Sequence, residues 1–210
     1  MQTLILRIGP CRIALPVLET LRIIPDTPAV PVPGAPSDQL GVLHYGEEGT
    51  VVPLVDGWRL VGCPEDTGNR ERAIVLFVEV YANVRERCFH HLNCTTDACP
   101  AYGEDRDPRC WLVSGTHCRR QIQGSYREKI DACRTCPYYI MMQKDCRQVV
   151  AVRVDAVEGI RQGEMIQDGA ARGDAGSRST AGLAVLGYQR HDDEPVPVLD
   201  TQTLLARFVE

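Results

Sequence analysis

The residues most able to do chemistry in this sequence are its cysteines, which are concentrated in one segment. Eight of the ten cysteines lie between Cys88 and Cys146. The segment opens with CFHHLNCTTDAC and later reads DACRTCPYY, so polar and aromatic residues separate the thiols. A thiolate is both a metal ligand and a redox nucleophile. The pattern therefore predicts a metal centre or a redox-active group of thiols.

The rest of the composition limits where such a group would act. The N-terminal MQTLILRIGP lacks the features of a signal peptide, and no apolar run approaches the roughly 18–20 residues that span a bilayer. We therefore expect a cytoplasmic protein without membrane insertion. Clustered cysteines in the cytoplasm bind metals more often than they form disulfides. A net charge of −5 also argues against a nucleic-acid partner.

The cysteine-rich segment needs more than apolar burial to fold. It has few aliphatic residues, and a segment of about 50 residues rarely buries enough surface to fold unaided. The seven cysteines between residues 88 and 139 cannot all pair with one another, so a metal fits better than disulfides, which stay an alternative. Metal binding would then supply the folding free energy.

The spacing Cys133-x-x-Cys136 is the sharpest local signal for ligands. Pro137 suits the first turn of a helix, so YYIMMQKDC is predicted to be helical. Cys136 would then lie at the helix start, where the macrodipole favours a thiolate. Cys146 would lie roughly 15 Å further along the helix axis, which excludes it as a ligand of the same ion.

Two thiolates leave the coordination of a metal unfinished, so the other ligands must come from the first half of the segment. Cys88 is expected at a strand exit, and Cys110 precedes a tryptophan and suits packing. The predicted ligands are Cys94, Cys99, Cys118, Cys133 and Cys136, with Cys88, Cys110 and His117 as further candidates.

The expected cofactor is an iron–sulfur cluster, with zinc as the alternative. Cysteine followed by proline, as at Cys99 and Cys136, occurs in iron–sulfur ligand runs, although the spacing matches no ferredoxin pattern. Four thiolates around zinc are an equally ordinary structural solution. The CRTC stretch (residues 133–136) is not expected to be a thioredoxin-type redox pair, because no βαβ pattern surrounds it.

The remaining cysteines and histidines have simpler interpretations. Cys11 and Cys63 have no ligand-like neighbour, so we expect them to be ordinary core or surface cysteines. His90 and His91 could ligate a metal, but we expect them to be solvated loop residues.

Outside this segment the sequence predicts short strands. The stretch TLILRIGPCRIALPVLETLRII predicts two strands that meet at a turn formed by Gly9 and Pro10. Further strands are predicted in GVLHY and TVVPLV, and at 73–80 and 149–157, on either side of the cysteine-rich segment. Residues 161–182 are predicted to be a glycine-rich loop. A final hairpin is followed by a short helix capped by Thr201.

Four stretches, in order, resemble the CheW-like domain, the coupling adaptor of bacterial chemotaxis. They are LILRIGPCRIALPV, LETLRIIPDTPAVPVPGAP, TVVPLVD and EPVPVLDTQTLL. The resemblance implies a mainly β fold of two small β-barrel subdomains, with a cysteine-rich, partly helical insertion in a β-hairpin. The domain would be discontinuous, comprising residues 1–80 and 148–210, with 81–147 as the insertion. It also implies no catalytic residues and two kinds of partner, a chemoreceptor and the regulatory domain of a histidine kinase.

One position departs from the family pattern. The family usually has arginine before the glycine that precedes its Pro-Val pair, whereas this chain has Glu48 before Gly49. An acid in place of a cation would make a contact repulsive. The residues expected to contact a partner here are Leu43, Glu48, Val52 and Pro53.

The cysteine-rich segment itself resembles the module called two-CW, which recurs beside sensory and signalling domains. The matching residues are Cys88-Phe89, Cys94, Cys99-Pro100-Ala101-Tyr102, Cys110-Trp111, Gly115-Thr116-His117-Cys118, Cys133, Cys136 and Tyr138-Tyr139, with phenylalanine replacing the usual first tryptophan. The sequence as a whole predicts a non-enzymatic signalling adaptor with a metal-binding or redox-sensing module. The alternatives are an electron-transfer protein with an iron–sulfur cluster and an interaction protein with structural zinc.

Overall fold

The computed structural model describes residues 1–47, 49–62, 74–118, 121–123, 126–166 and 184–209. The chain divides into two compact units, one of Met1–Val80 with Gln148–Glu210 and one of Tyr81–Arg147. We call the first the β unit and the second the cysteine-rich unit. The β unit is built from strands, whereas the cysteine-rich unit is built from short helices and turns.

The described strands and helices are short. The strands are β1 Gln2–Ile8, β2 Cys11–Pro16, β3 Thr20–Pro25, β4 Gln39–Tyr45, β5 Thr50–Asp56, β6 Ile74–Tyr81, β7 Arg147–Val154, β8 Ala156–Gln162, β9 Val185–His191 and β10 Glu194–Leu199. The α-helices are α1 Gly57–Leu60, α2 Cys88–His91, α3 Tyr126–Cys133, α4 Pro137–Met141 and α5 Thr201–Leu205. None of these described helices has the length and apolar character that crossing a membrane requires.

The strands form two five-stranded mixed sheets. The first has the order β8-β1-β2-β10-β9, and the second has the order β3-β6-β7-β5-β4. Two of the described strand pairs are parallel, β2–β10 in the first sheet and β5–β7 in the second. The antiparallel pairs are β1–β2, β1–β8, β9–β10, β3–β6 and β4–β5. The mainly β prediction is confirmed.

The predicted closure into barrels is wrong, because within the described residues both sheets are open. A closed barrel that side chains can fill has about eight strands, and five-stranded barrels stay partly open. The core of the β unit is instead formed by apolar side chains of its strands. Its largest cluster includes Leu6, Ile8, Val78 and Val154, all fully buried.

The first predicted hairpin forms at the expected place, and its turn depends on glycine. Gly9 has a φ of +55°, and a Cβ at this position would overlap the ring of Trp58. After β2, however, the chain makes a 3₁₀ turn at Val17–Glu19 and enters β3 in the other sheet. The stretch predicted to form two strands therefore forms three.

The predicted strand 149–157 is also divided, at Asp155. The Asp155 carboxylate accepts hydrogen bonds from the Gly9 N–H at 2.6 Å and from the Trp58 indole at 2.9 Å. Its own N–H donates to the Arg7 carbonyl. These bonds hold the chain where it leaves β7 of the second sheet for β8 of the first.

The C-terminal hairpin and helix form as predicted, except for the cap. The side chain of Asp200 accepts from the Thr203 N–H and is the N-cap of α5. Thr201 is buried instead, and its hydroxyl donates to Glu19. Most of the predicted loop 161–182 lies outside the described residues.

Candidate functional site

The cysteine-rich unit is connected to the neighbouring strands β6 and β7. The Ala82 N–H donates to the Cys146 carbonyl at 3.0 Å, directly after β6 and before β7. The end of one strand therefore meets the start of the next, as in an antiparallel hairpin. The long segment occupies the position of the hairpin loop.

The core of this unit consists of aromatic and sulfur side chains. Its buried residues are Tyr81, Ala101, Cys110, Trp111, Cys133, Tyr138, Met142 and Cys146. The Trp111 ring contacts the rings of Tyr81 and Tyr139, with centroids 5.2 and 5.1 Å apart. Aromatic burial thus replaces the aliphatic burial that the sequence lacks.

Two thiols of this core, Cys88 and Cys110, contact each other. The hydrogen bond from Cys110 lowers the pKa of Cys88 to about 7, with help from the Phe89 backbone N–H and the positive charge of Lys129. The same hydrogen bond, together with burial, raises the pKa of Cys110. Cys88 is therefore the thiolate of the pair and Cys110 the thiol that donates to it. Cys88 is half-buried, whereas Cys110 is buried.

The Tyr138 side chain lies beside this pair and connects the two segments that carry it. Its hydroxyl donates to the Pro108 carbonyl at 3.0 Å and lies 3.5 Å from the Glu86 carbonyl. Each carbonyl is two residues before one of the thiols. Tyr138 is fully buried, and burial raises its pKa, as do the nearby Cys110 and Cys88.

A buried lysine supplies positive charge to the same group of thiols. Lys129 is almost fully buried, and its ammonium donates to the Val113 carbonyl. Burial raises the pKa of Cys133 to about 11, and the negative charges of Cys118 and Cys136 act in the same direction, while Lys129 opposes them. The ammonium is thus close enough to affect thiols from both halves of the segment.

The predicted ligands lie in several different environments. Cys99 accepts a hydrogen bond from the His117 N–H, and Cys118 is 3.4 Å from the Thr116 hydroxyl. Cys94 lines a surface groove with Phe89, His90, Asn93, Thr95 and Tyr102. In the part of the chain that the structure describes, no group of three or more His, Cys, Asp or Glu side chains is placed to hold one metal ion. The metal centre therefore stays a prediction.

The helix after Pro137 forms, with a change in its last turn. Cys136 is the N-cap, Pro137 begins α4, and the chain continues as a π-helical turn over Met142–Cys146. The Cys146 sulfur lies 3.9 Å from the Met141 sulfur and 4.0 Å from the Asn83 carbonyl. Burial raises the pKa of Cys146, and the charge of Asp145 adds to this effect.

Two minor expectations need correction. Cys11 is disulfide-bonded, so the prediction of an ordinary cysteine is wrong for it, while Cys63 lies outside the described residues. The two histidines lie in α2 rather than in a loop, and each has an acid beside it. His91 is 2.6 Å from Glu86, and His90 is 3.4 Å from Glu104.

The residues predicted to contact a partner lie on β4 and β5 or outside the described residues. Leu43 and Val52 are buried in a core cluster of the β unit, so their side chains do not face a partner. Pro53 is half-buried, and Glu48 lies outside the described residues. The exposed side of this strand pair carries His44 and Val51, which are register partners.

Lys129 and Tyr138 also belong to the thiol group, although the cysteine pattern did not predict them. A signal for Lys129 was present, since it lies four residues before Cys133 and such residues share one helix face. Tyr138 was expected only as one residue of the aromatic pair that matches the two-CW module. Its hydrogen bonds to two distant carbonyls have no local signal in the sequence.

The comparisons with known proteins agree with the architecture of the β unit. Residues 2–85 match the family model described as CheW-like domain. The crystal structure of the scaffolding protein TtCheW from Thermoanaerobacter tengcongensis matches with a TM-score of 0.52 and 12% identity, covering 97% of this chain and 90% of that chain. The fold is CheW-like. No curated protein matches the sequence significantly.

Three of the four stretches that predicted this fold coincide with its strands and its last helix. LILRIGPCRIALPV forms β1 and β2, and TVVPLVD coincides with β5. The stretch EPVPVLDTQTLL forms β10 and α5. The family match ends at residue 85, before the first cysteine of the cysteine-rich unit.

Proposed function

We propose that this chain is a non-enzymatic coupling adaptor of a chemotaxis-type signalling pathway that acts in the cytoplasm. The observation that carries this proposal is the CheW-like fold, found both in the match to residues 2–85 and in the likeness to a scaffolding protein. The proposed partners are the regulatory domain of a histidine kinase and a chemoreceptor. The chain would act by holding them together, with no catalytic residue of its own.

The proposed contact surface for the kinase domain is the exposed side of β4 and β5. Val51 is 57% exposed and lies opposite His44 in the strand register. Val30, 61% exposed, pairs with Val42 at the edge of the same sheet. Exposed apolar residues grouped on a sheet edge are typical of protein–protein contact.

A titration of the full chain with a histidine-kinase regulatory domain tests this proposal. Val51→Glu should weaken binding at least tenfold, because it places a charge where apolar surface is buried. Ile160→Glu is the matched control, since Ile160 lies on β8 of the other sheet and is 56% exposed. Equal effects of both substitutions, or no binding by the unaltered chain, would refute the proposal.

We further propose that the cysteine-rich unit binds a metal or senses redox state, with an iron–sulfur cluster or zinc as the cofactor. Support comes from eight free cysteines in that unit and from the buried ammonium of Lys129, which favours thiolates. Loading would require the thiols to move closer together than their described positions.

Metal analysis and an absorption spectrum of anaerobically purified protein test this part of the proposal. At least one equivalent of bound iron or zinc is expected. Preparations without bound metal would refute the metal centre. Reversible redox cycling without stable binding of a kinase domain would favour an electron-transfer protein instead.

A further inference from the structure

Lys129 is a charged residue buried in the cysteine-rich unit. It lies on α3 and is 2% exposed, and its ammonium donates to the Val113 carbonyl. An ammonium has three N–H donors. In the part of the chain that the structure describes, no other acceptor, whether carboxylate, carbonyl or thiol sulfur, lies within hydrogen-bond distance of it. Two donors therefore have no partner among these residues, although the side chain is almost completely removed from water.

The acidic residues of α3 do not supply the missing negative charge. Glu128 and Asp131 are exposed, and Asp131 is 3.3 Å from Arg134. Burying an ammonium without a counter-charge costs more free energy than one hydrogen bond to a carbonyl returns. The burial of Lys129 therefore indicates that an anionic group belongs beside it in the functional protein.

The groups that can become anionic in this part of the core are thiols. Cys133 lies one helical turn after Lys129 on the same face of α3, and it is 3% exposed. The acceptor Val113 directly follows the turn Cys110–Leu112 and packs against the same core as Cys133. Burial alone favours the protonated form of a thiol, whereas a bound metal ion deprotonates its thiol ligands. A metal centre would thus fix negative charge where Lys129 lacks it.

The number of thiolates decides whether such a centre carries the required charge. Two thiolates neutralise a divalent ion, and neutral histidines add no charge, so a centre of two cysteines and two histidines is uncharged. A third or a fourth thiolate makes the centre anionic. An iron–sulfur cluster held by four thiolates is anionic as well. A buried lysine without a carboxylate partner fits only the anionic kinds of centre.

We propose that Lys129 is the internal counter-charge of an anionic metal centre that has at least three thiolate ligands, one of them Cys133. The N–H groups of Lys129 that lack a partner would donate to the ligand sulfurs. This inference deepens the proposed function and rests on it, because it requires the cysteine-rich unit to bind a metal. It adds the charge of the centre and the residue that balances this charge, and it excludes a centre of two cysteines and two neutral ligands.

A titration of the reduced, metal-free full chain with Co²⁺ counts the thiolates. Each thiolate ligand adds to the intensity of the sulfur-to-cobalt charge-transfer band, so this intensity per bound ion gives their number. The proposal requires three or more. A band that corresponds to two thiolates would overturn the inference and leave the metal centre standing. Absence of Co²⁺ binding by the unaltered chain would refute the metal centre and the inference together.

The variant Lys129→Met separates the charge of the side chain from its packing, because methionine is similarly flexible and has no charge. Its affinity for Co²⁺ should be at least tenfold weaker, since the anionic centre loses its buried counter-charge. Without metal, limited proteolysis should cleave its cysteine-rich unit no faster than that of the unaltered protein, since no ammonium with unpaired donors is buried. With Co²⁺ bound to the unaltered protein, the variant should be cleaved faster.

The matched control is Lys144→Met, since Lys144 is an exposed lysine of the same unit. This variant should bind Co²⁺ and resist proteolysis as the unaltered protein does. An unchanged Co²⁺ affinity in Lys129→Met would overturn the role of Lys129 as a counter-charge. Faster cleavage of Lys129→Met without metal would also overturn it, because that result shows a side chain that stabilises the fold by packing alone.

Discussion

At the residue scale, burial and neighbouring groups shift the pKa values of several thiols of the cysteine-rich unit. Cys88 and Cys110 have pKa values shifted in opposite directions because one accepts and the other donates their hydrogen bond. Burial raises the pKa of Cys133 and keeps it a thiol at neutral pH. Reactivity should therefore differ sharply among cysteines that look equivalent in the sequence.

The first prediction concerns the thiolate at Cys88. In the reduced protein, the rate of Cys88 alkylation should rise with pH around a midpoint of about 7. Cys110→Ala removes the hydrogen bond to the Cys88 thiolate, so the midpoint should move toward the ordinary cysteine pKa of about 8.5. Alkylation rates followed by mass spectrometry measure both midpoints. Equal midpoints would show that the hydrogen bond has no role.

A second residue-scale prediction concerns acid stability. Burial alone would raise the pKa of Asp107, but hydrogen bonds and charge from buried Arg109 outweigh it and lower the pKa. The folded-state pKa is thus below the unfolded value of about 4, so this pair stabilises the fold above that pH and the contribution is lost as the pH falls.

Asp107→Asn should therefore lower the free energy of unfolding by only about 1 kcal/mol at pH 7, since the carboxylate is 39% exposed and water screens it. Below pH 4 the variant and the unaltered protein should converge. Urea unfolding at pH 7 and pH 3.5 checks this sign. A difference that grows toward low pH would contradict the assignment.

At the scale of elements, Asp155 decides how the two sheets are connected. Its carboxylate accepts from Gly9 and Trp58, which lie 146 and 97 positions away along the chain. No local pattern in VVAVRVDAV marks this division, because both donors are distant in sequence. By contrast, β4, β5 and the C-terminal hairpin follow from local strand propensity and turn residues, which is why the sequence predicts them.

In the candidate site, too, contacts between residues distant in sequence could not be predicted from local patterns. The cysteine pattern predicted a metal centre or a redox-active group of thiols, and Pro137 predicted the helix that follows the CRTC stretch. The segments that carry Cys88 and Cys110 are connected by Tyr138, whose hydroxyl meets carbonyls 52 and 30 positions away. Pairing over such distances is a property of the folded chain, so spacing alone favoured other cysteines.

The element-scale prediction is that Asp155→Ala destabilises the β unit. It removes the acceptor of two hydrogen bonds, which should lower the free energy of unfolding by about 2–3 kcal/mol. Asp155→Asn keeps one acceptor oxygen and should lose less. Urea unfolding monitored by far-UV circular dichroism checks both variants. A loss in Asp155→Ala of under about 0.5 kcal/mol, within the usual range for surface substitutions, would refute the structural role of Asp155.

At the scale of the whole molecule, each unit has its own core, and the cysteine-rich unit replaces a hairpin loop. Closing a longer loop costs free energy that grows only logarithmically with length, so a large insertion is tolerated at this position. Function would follow the same division. In the proposed function, the β unit binds the partners, and the cysteine-rich unit binds a metal or senses redox state.

This division predicts that the β unit folds without the insertion. Replacing residues 85–146 with a short glycine-containing turn should leave a protein with strand-type circular dichroism and one cooperative urea transition. Loss of cooperativity would show that the β unit depends on the cysteine-rich unit.

The proposed function requires the chain to bind two partners at once, and a bridging measurement checks this. A histidine-kinase regulatory domain and a cytoplasmic chemoreceptor fragment are analysed by sedimentation velocity, with and without the full chain. We predict that the two partners sediment together only when the chain is present, in a complex that contains all three. Separate sedimentation of the partners in the presence of the chain would contradict a coupling function.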